Sequence, residues 1–472
     1  MSARTKTIWT FVITSVALFM VTLDNLVVTT ALPSIRVDLG ASIEDLEWTV
    51  NAYTLSFAVL LLTGAALGDR FGRRRLFAVG LGIFTVASAA AALAPNVEAL
   101  IAARAVQGVG GAIVTPLTLT ILSAAVSPSK RGLALGAWGA IGGLAVASGP
   151  VVGGAVVEGM SWQWIFWLNV PIGLVLVPVA YARLRETFGP SGRLDLRGLA
   201  LASVGLFGIV WGVIRGNAIG WTSTEIIGSL AFGVVVTVAF VLWELRAPAP
   251  MLPMRFFRNR TFAAANVSSL FMFFGMFGSI FLLTQFLQTV QGYSPLDAGL
   301  RVLPWTAMPI FVAPIAGALS DRIGGRPLMA AGLALQALAL GWLAAVSDPT
   351  VPYGELVPAF IVAGVGMALF FAPVANVVLS AVRPEEEGQA SGANNAIREL
   401  GGVFGVAVLA TIFSSSGSYA TGQAFVDGLV PALWIGAGIV ALGALAALFI
   451  PRRGRGAEAA APEGELAFEQ AA

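Results

Sequence analysis

The stretch GAALGDRFGRRRLFAVGL, residues 64–81, occurs a second time in the chain as AGALSDRIGGRPLMAAGL, residues 316–333. A second pair of segments matches at nearly the same separation: SPSKRGLALGAWGAIGGL at 127–144 and RPEEEGQASGANNAIREL at 383–400. One of these matches includes charged positions, and both keep the same order along the chain. The sequence therefore predicts two copies of one structural unit.

The composition indicates that both copies lie in a membrane. Hydrophobic residues make up 57% of the 472 residues and charged residues 11%, whereas a soluble protein has about 25% charged residues. Apolar runs of roughly 17 to 25 residues are long enough to cross a bilayer as helices. We find fourteen such runs, at 8–31, 46–67, 76–94, 98–121, 132–156, 162–181, 198–214, 225–245, 262–287, 296–319, 327–346, 356–381, 388–413 and 430–450.

Six spans precede a central pair and six follow it, so we expect an all-α polytopic membrane protein with a 6 + 2 + 6 arrangement. The predicted domains are a six-helix bundle at 8–181, a linker region with two extra helices at 182–261, a second six-helix bundle at 262–450 and a disordered cytoplasmic tail at 451–472. With both termini in the cytoplasm, 22 of the 27 Lys and Arg residues lie on that side. Only Arg36, Arg215 and Arg301 lie outside, as the positive-inside rule requires.

The chain has no cysteine and no histidine. Disulfides, thiolate nucleophiles, His-metal sites and imidazole proton shuttles are thereby excluded. The sequence also has no HExxH, GxSxG or P-loop motif. We expect no enzyme activity, no cofactor, no metal site and no nucleic-acid partner.

Five motifs in chain order resemble those of the major facilitator superfamily, specifically its fourteen-helix drug:proton antiporter branch. The resemblance covers residues 8 to 450 and rests on LDNLVVTTALP at 23–33, GDRFGRRR at 68–75, RAVQGVGGA at 104–112, ASGPVVGG at 147–154 and QGYSPLDAGLRVLP at 291–304. It implies the major facilitator fold and alternating access between the two halves. The implied function is proton-driven efflux of lipophilic, cationic drugs or toxic compounds by a multi-pass monomer in the inner (cytoplasmic) membrane. Its partners would be a small-molecule substrate, protons and the bilayer. Export of an endogenous metabolite, antibiotic or lipid is the alternative.

Asp24 and Arg104 are the predicted proton-coupling residues. Each lies about six or seven residues from the outer end of its span, hence roughly 10 Å below the outer surface at about 1.5 Å per residue. A lone charge at that depth is costly, whereas a pair facing a wet cavity is tolerable. The resemblance implicates both residues in coupling, and a fixed structural ion pair is the alternative. Arg398 and Glu399, in the span 388–413, are secondary candidates, because Glu399 could titrate or neutralise Arg398.

The repeated loop supplies the predicted gating residues, which are Gly68, Asp69, Arg70, Gly72, Arg73, Arg74, Asp321 and Arg322. The arginines would hold the loop at the anionic inner leaflet. The resemblance further implies that Asp69 contacts the opposite half and stabilises the outward-facing state. The start of the helix near Gly388 is the candidate partner, since a helix N-terminus favours an anion.

Two further groups are predicted from residue type. The fifth span would act as a hinge or seal between the halves through Gly149, Pro150, Gly153 and Gly154. Close packing alone is the alternative. The substrate cavity would be lined by polar side chains and by aromatic rings that stack on flat cations. For the phenylalanine rings, contact with lipid or core is the alternative. The residues predicted for the cavity are Asn51, Tyr53, Phe271, Phe274, Phe281 and Gln285.

Overall fold

The computed structural model describes residues 3–126, 128–188, 195–383 and 386–451, so the predicted tail beyond residue 451 lies outside the described residues. The described residues form α-helices, a 3₁₀ turn at Met254–Arg258 and a π-helical turn at Phe286–Val290. The helices are α1 (Ala3–Leu39), α2 (Ile43–Phe71), α3 (Arg73–Ala92), α4 (Val97–Ala125), α5 (Pro128–Gly159), α6 (Trp164–Trp167), α7 (Asn169–Arg183), α8 (Leu196–Ile219), α9 (Thr224–Glu244), α10 (Arg260–Gln285), α11 (Pro295–Thr306), α12 (Met308–Ile323), α13 (Gly325–Val346), α14 (Tyr353–Leu379), α15 (Glu387–Ser416) and α16 (Gly422–Ala447).

The expectation of an all-α polytopic protein is confirmed. In the described part of the chain, thirteen helices are long and apolar enough to cross a membrane. The number reaches fourteen when the two segments of α2, Ile43–Leu61 and Thr63–Phe71, which meet at a bend of 52°, count as one span. The helix order also agrees with six spans, a central pair and six spans.

Two predicted spans, 162–181 and 296–319, are interrupted where a continuous helix was expected. The first divides at Leu168 into α6 and α7, and the second divides at Ala307 into α11 and α12. Each break lies two or three residues before a proline, Pro171 or Pro309. Proline has no amide hydrogen to donate to the preceding turn, so the helical hydrogen bonding is interrupted there.

The sequence repeat has a counterpart in the backbone. Gly72 lies between α2 and α3 with φ +104°, and Gly324 lies between α12 and α13 with φ +83°. The repeat aligns these two glycines. Because a positive φ strains any residue with a side chain, both copies use glycine to make the same tight turn between consecutive spans.

The two halves are closed against each other at the ends that face outward in the predicted orientation. A Cβ atom on Gly154 of α5 would collide with the carbonyl of Pro295 at the start of α11. The side-chain amide of Gln288 donates to the carbonyl of Thr30 on α1 at 2.9 Å. Among the described residues, the hydrogen bonds that join the first half to the second lie at this outer end. The structure therefore represents a conformation that is sealed on the outside.

The extra helix α8 contacts both halves. On the side of the first half, the guanidinium of Arg215 lies 3.2 Å from the carboxylate of Glu44 on α2. On the side of the second half, the amide of Asn217 donates to the hydroxyl of Ser414 on α15 at 2.9 Å. All four residues lie at the outer ends of their helices. Thus α8 bridges the seam between α2 and α15.

Candidate functional site

Asp24 on α1 and Arg104 on α4 form a buried ion pair. The Nη1 atom of Arg104 lies 2.5 Å from Oδ2 of Asp24, and the two residues are 0% and 1% exposed, respectively. Asn96 caps α4 by accepting a hydrogen bond from the amide of Ala99, so the helix that carries Arg104 begins about two turns before it. The structure thus brings together the two residues that the sequence placed at a similar depth.

Two amides complete the coordination of the Asp24 carboxylate. Gln107 Nε2 donates to Oδ1 at 2.8 Å, and Asn169 Nδ2 donates to the same oxygen at 2.6 Å. Gln107 also accepts a hydrogen bond from Arg104 at 2.7 Å, since residues three apart lie on one face of a helix. A buried ion pair is stabilised by further hydrogen bonds to its remaining polar atoms. These amides satisfy the carboxylate, and the carbonyl of Thr49 accepts a hydrogen bond from Nε of Arg104 at 3.2 Å, whereas Nη2 of Arg104 has no hydrogen-bond partner among the described residues.

Aromatic rings surround the guanidinium of Arg104. Its Cζ atom lies 4.2 Å from the centre of the Tyr53 ring and 5.7 Å from that of Phe166. Tyr53 in turn stacks on Phe57, with ring centres 5.8 Å apart. A cation over an aromatic face is stabilised when water is excluded. Tyr53, which was predicted for the substrate cavity, therefore contacts the ion pair in this conformation.

Sequence reasoning did not identify Gln107 and Asn169. Gln107 lies within the motif 104–112 and could have been found from its spacing to Arg104. Asn169 follows the aromatic segment Trp164–Trp167 and is a lone amide in an apolar run. A polar side chain in such a run is a reasonable candidate for a buried partner, but only the fold shows that it faces α1.

The carboxylate of Asp24 joins α1 to two other helices. An ionised Asp24 accepts hydrogen bonds from two helices, α4 and α7, and attracts Arg104. A protonated Asp24 carries no charge and has one fewer acceptor site, so the attraction to Arg104 and part of the hydrogen bonding would be lost. Gain or loss of one proton would thus alter how α1 is held against its neighbours.

The secondary candidates Arg398 and Glu399 do not pair with each other in the structure. The guanidinium of Arg398 lies 4.4 Å from the ring centre of Phe273 and 5.3 Å from that of Phe371, and it donates to the side chain of Asn395 at 3.2 Å. Glu399 Oε2 is buried and has no hydrogen-bond partner among the described residues. The two side chains leave their helix in different directions, as expected for neighbours in sequence.

The predicted cavity residues occupy different environments. Phe271 packs against α16 near Gly443, whereas Phe274 and Phe281 are buried. The carbonyl oxygen of the Gln285 side chain accepts a hydrogen bond from the hydroxyl of Tyr419. Asn51 is fully buried, and neither atom of its amide has a hydrogen-bond partner in the described part of the chain. The aromatic side chain of α10 that faces a cation is Phe273, one position away from Phe274.

The gating loop is held within the first half. Asp69 Oδ1 lies 2.7 Å from Nε of Arg73, and the backbone amide of Arg74 donates to Oε1 of Glu186 at 2.9 Å. Arg70 lies near the ring of Phe71, with its Cζ atom 5.4 Å from the ring centre. In this conformation the carboxylate of Asp69 thus bonds to its own loop. The contact with the start of α15 stays a prediction for another conformation.

The other gating residues are placed as follows. A side chain on Gly68 would collide with Leu117 on α4, so α2 and α4 approach closely there. Arg322, in the second copy of the loop, is exposed at the end of α12. The side chain of Asp321 lies outside the described part of the structure.

The glycine-rich segment of α5 lies between the two halves. A Cβ atom on Gly149 would lie 2.6 Å from Cβ of Leu26 on α1, and Gly153 approaches the same helix at Thr30. On the other side, a Cβ atom on Gly299 of α11 would collide with the carbonyl of Pro150. Small residues permit this close approach, so α5 joins α1 to α11 at the outer seal.

Comparisons with known proteins agree with the fold and the motifs. The family model described as Major Facilitator Superfamily matches residues 14–406 and 265–470. The tetracenomycin C resistance and export protein of Streptomyces glaucescens is 35% identical over 86% of this chain and 76% of that protein. The multidrug resistance protein Stp of Mycobacterium tuberculosis is 36% identical over 86% of this chain and 76% of its own length. The cephamycin export protein CmcT of Amycolatopsis lactamdurans is 37% identical over 88% and 87% of the two chains.

Solved structures show the same fold at low sequence identity. A peptide transporter POT in complex with sulfate superposes with a TM-score of 0.69 at 14% identity, covering 93% of this chain and 94% of the other. A D-xylose–proton symporter superposes with a TM-score of 0.67 at 15% identity, covering 94% and 98% of the two chains.

Proposed function

Because the chain belongs to the major facilitator superfamily, we propose that it exports lipophilic, cationic drugs or toxic compounds in exchange for protons. Family membership makes it a transporter in a membrane and not an enzyme. We further propose that it is a monomer of the cytoplasmic membrane that draws its energy from the proton gradient and needs no cofactor.

The observation that carries the proposal is the buried carboxylate of Asp24. It lies in the first span, accepts hydrogen bonds from α4 and α7, and faces Arg104. Thr30, six residues further along α1, accepts the hydrogen bond from Gln288 of the second half. At about 1.5 Å per residue these two points on α1 are roughly 9 Å apart. A change in the charge of Asp24 would therefore act on the helix that takes part in the outer seal.

The proposed cycle uses this connection. In the sealed conformation Asp24 is ionised and paired with Arg104, and a cationic substrate from the cytoplasm then takes the place of Arg104 at the carboxylate. After the outer seal opens, a proton from outside neutralises Asp24 and the cationic substrate leaves. When the protein opens to the cytoplasm again, Asp24 releases its proton there and again binds either Arg104 or a new cation. In this cycle Asp69 would exchange Arg73 for the start of α15 when the cytoplasmic side closes.

The names of the relatives bear on the substrate. Two of them are named for the export of the antibiotics tetracenomycin C and cephamycin, and a third for multidrug resistance. These names support drug-like compounds as substrates and also favour a second candidate, export of an endogenous antibiotic. Asn51 and Gln285 are the polar residues that we propose for the substrate cavity.

Transport by reconstituted protein tests the proposal. Proteoliposomes with an imposed pH gradient should accumulate or release a fluorescent monocation such as ethidium, and nigericin should abolish the movement. Asp24→Asn should abolish gradient-driven transport. The matched control is Asp38→Asn, a carboxylate on the same helix that accepts a hydrogen bond from Trp162 at 2.7 Å, and it should transport normally. Full gradient-driven transport by Asp24→Asn would refute the proposal. Movement of a neutral antibiotic, with no movement of the cation, would select the second candidate.

A further inference from the structure

A basic pocket of about 360 Å³ lies at the cytoplasmic end of the first half, outside the site described above. It is formed by the first turns of α1, the last turn of α4 and the chain that follows α7. Lys6, Arg183 and Arg185 line it with positive charge, and Ile121 and Ala124 of α4 form an apolar wall.

The polar lining of this pocket suits an anion. Among the described residues that line it there is no carboxylate. The hydroxyl of Thr10 lies at the pocket and donates to the carbonyl of Lys6 at 3.0 Å. The hydroxyl of Thr187 is buried and has no hydrogen-bond partner in the described part of the chain. Lys6 and Arg185 both place positive charge on the lining. Like charges repel, and a phosphate group would relieve that repulsion and satisfy the hydroxyl.

We propose that this pocket binds the phosphate group of an anionic phospholipid from the inner leaflet. The pocket lies where α1 enters and α7 leaves the membrane, at the level of the lipid headgroups. The guanidinium of Arg183 lies 5.2 Å from the ring centre of Trp9, and tryptophan is enriched at this interface. Basic pockets between spans on the cytoplasmic side are suited to acidic headgroups, and arginine binds phosphate oxygens with paired N–H donors.

The chain after α7 connects the pocket with the gating loop. Arg185 and Thr187 line the pocket. Glu186, between them, accepts a hydrogen bond from the backbone amide of Arg74 at 2.9 Å, and the carbonyl of Thr187 accepts one from the amide of Arg73, also at 2.9 Å. A bound phosphate would therefore hold the short segment that anchors the loop. The functional meaning of this connection rests on the gating role proposed above.

Lipid binding by the purified protein tests the pocket directly. We would titrate the full-length protein in detergent with phosphatidylglycerol and count bound lipids by native mass spectrometry. The charge-neutral variant Lys6→Gln/Arg185→Gln should bind one fewer phosphatidylglycerol, or bind it at least tenfold more weakly. The control Arg246→Gln/Arg260→Gln removes two exposed cytoplasmic arginines elsewhere and should bind as the wild type does.

Further variants and competitors distinguish loss of binding from loss of folding, and a lipid headgroup from a free phosphate compound. Lys6→Arg/Arg185→Lys keeps the charge and should retain binding even where the glutamine variant is unstable. Unchanged phosphatidylglycerol binding by a folded glutamine variant would overturn the proposal, as would loss of binding in the charge-conserving variant at full stability. Displacement of the lipid by soluble glycerol 1-phosphate at equal concentration would overturn the lipid source and assign the pocket to a free phosphate compound.

A cysteine in the loop reports the connection. The chain has no cysteine, so Phe71→Cys introduces a single thiol at an exposed position. We expect a maleimide to react at least threefold more slowly in vesicles that contain phosphatidylglycerol than in phosphatidylcholine alone. The Lys6→Gln/Arg185→Gln background should abolish this difference. Equal reaction rates in both vesicles with the pocket intact would overturn the coupling between pocket and loop.

Discussion

Replacing Asn169 by alanine should shift proton-coupled transport to higher pH. The amide of Asn169 donates to the Asp24 carboxylate at 2.6 Å, and both residues are buried. Alanine cannot donate this bond, so the ionised form of Asp24 loses stabilisation while the protonated form loses less. A proton then binds more tightly to Asp24, and release to the cytoplasm requires a higher pH.

The size of the effect follows from the contact. A hydrogen bond to a charged group contributes about 1.5–3 kcal/mol. About 1.4 kcal/mol of difference between the ionised and protonated forms corresponds to one pH unit. Because the protonated form also loses a neutral hydrogen bond of about 1 kcal/mol, the pH of half-maximal transport should rise by about one unit. The remaining bonds from Arg104 and Gln107 keep the site assembled, so the variant should still transport at high pH.

The assay is the rate of gradient-driven ethidium transport in proteoliposomes as a function of internal pH. The matched control is Asn394→Ala, which removes a buried asparagine that donates to Asn266 and Ser269 at 3.0 Å in the second half. That control should lose stability to a similar degree without a shift of the pH profile. Superimposable profiles for Asn169→Ala and the wild type would show that this bond does not tune proton binding, and equal shifts in both variants would show a nonspecific effect.

Three further predictions concern the seal, the central pair and the second half. Gly154→Val should open the outer seal, because a side chain there collides with the opposite half. A cysteine introduced on the outer side should then react faster with a thiol reagent. Gly159→Val, where a Cβ atom meets no neighbour within 4 Å, should leave that reaction rate unchanged. Asn217→Ala removes two hydrogen bonds between α8 and α15, to the carbonyl of Thr411 and the hydroxyl of Ser414. It should weaken the sealed state by at least about 1 kcal/mol, seen as an open population at least roughly fivefold larger in distance measurements between spin labels. Phe273→Leu removes the nearer of the two rings that face Arg398 and should cost about 1–2 kcal/mol, measured as reduced thermal stability in detergent.

The fold could be predicted to a large extent because lipid imposes simple rules. Spans must be apolar and helical, so composition and run length were enough to count them. The repeat at Gly72 and Gly324 gave the division into halves. The breaks at Leu168 and Ala307 were missed, because a proline in a span can either bend a helix or end it. Sequence alone does not show which outcome the neighbouring helices permit.

The candidate site was predictable only where charge marked it. Asp24 and Arg104 stand out because ionised residues in apolar runs are rare. Gln107 and Asn169 carry no charge, and their role depends on the rotation of α4 and α7 about their axes. The same ambiguity affected α10, where the aromatic residue facing Arg398 is Phe273. An error of one position rotates a helical side chain by about 100°.

The central claim is that Asp24 exchanges a proton for a cation, and proton release on substrate binding measures this directly. Weakly buffered, detergent-purified protein would be held at a pH low enough to protonate Asp24 and then mixed with tetraphenylphosphonium, and a pH-indicator dye would report the protons released. We predict release by the wild type and by Asp38→Asn, and none by Asp24→Asn. Undiminished release by Asp24→Asn, with the cation bound normally, would contradict the account.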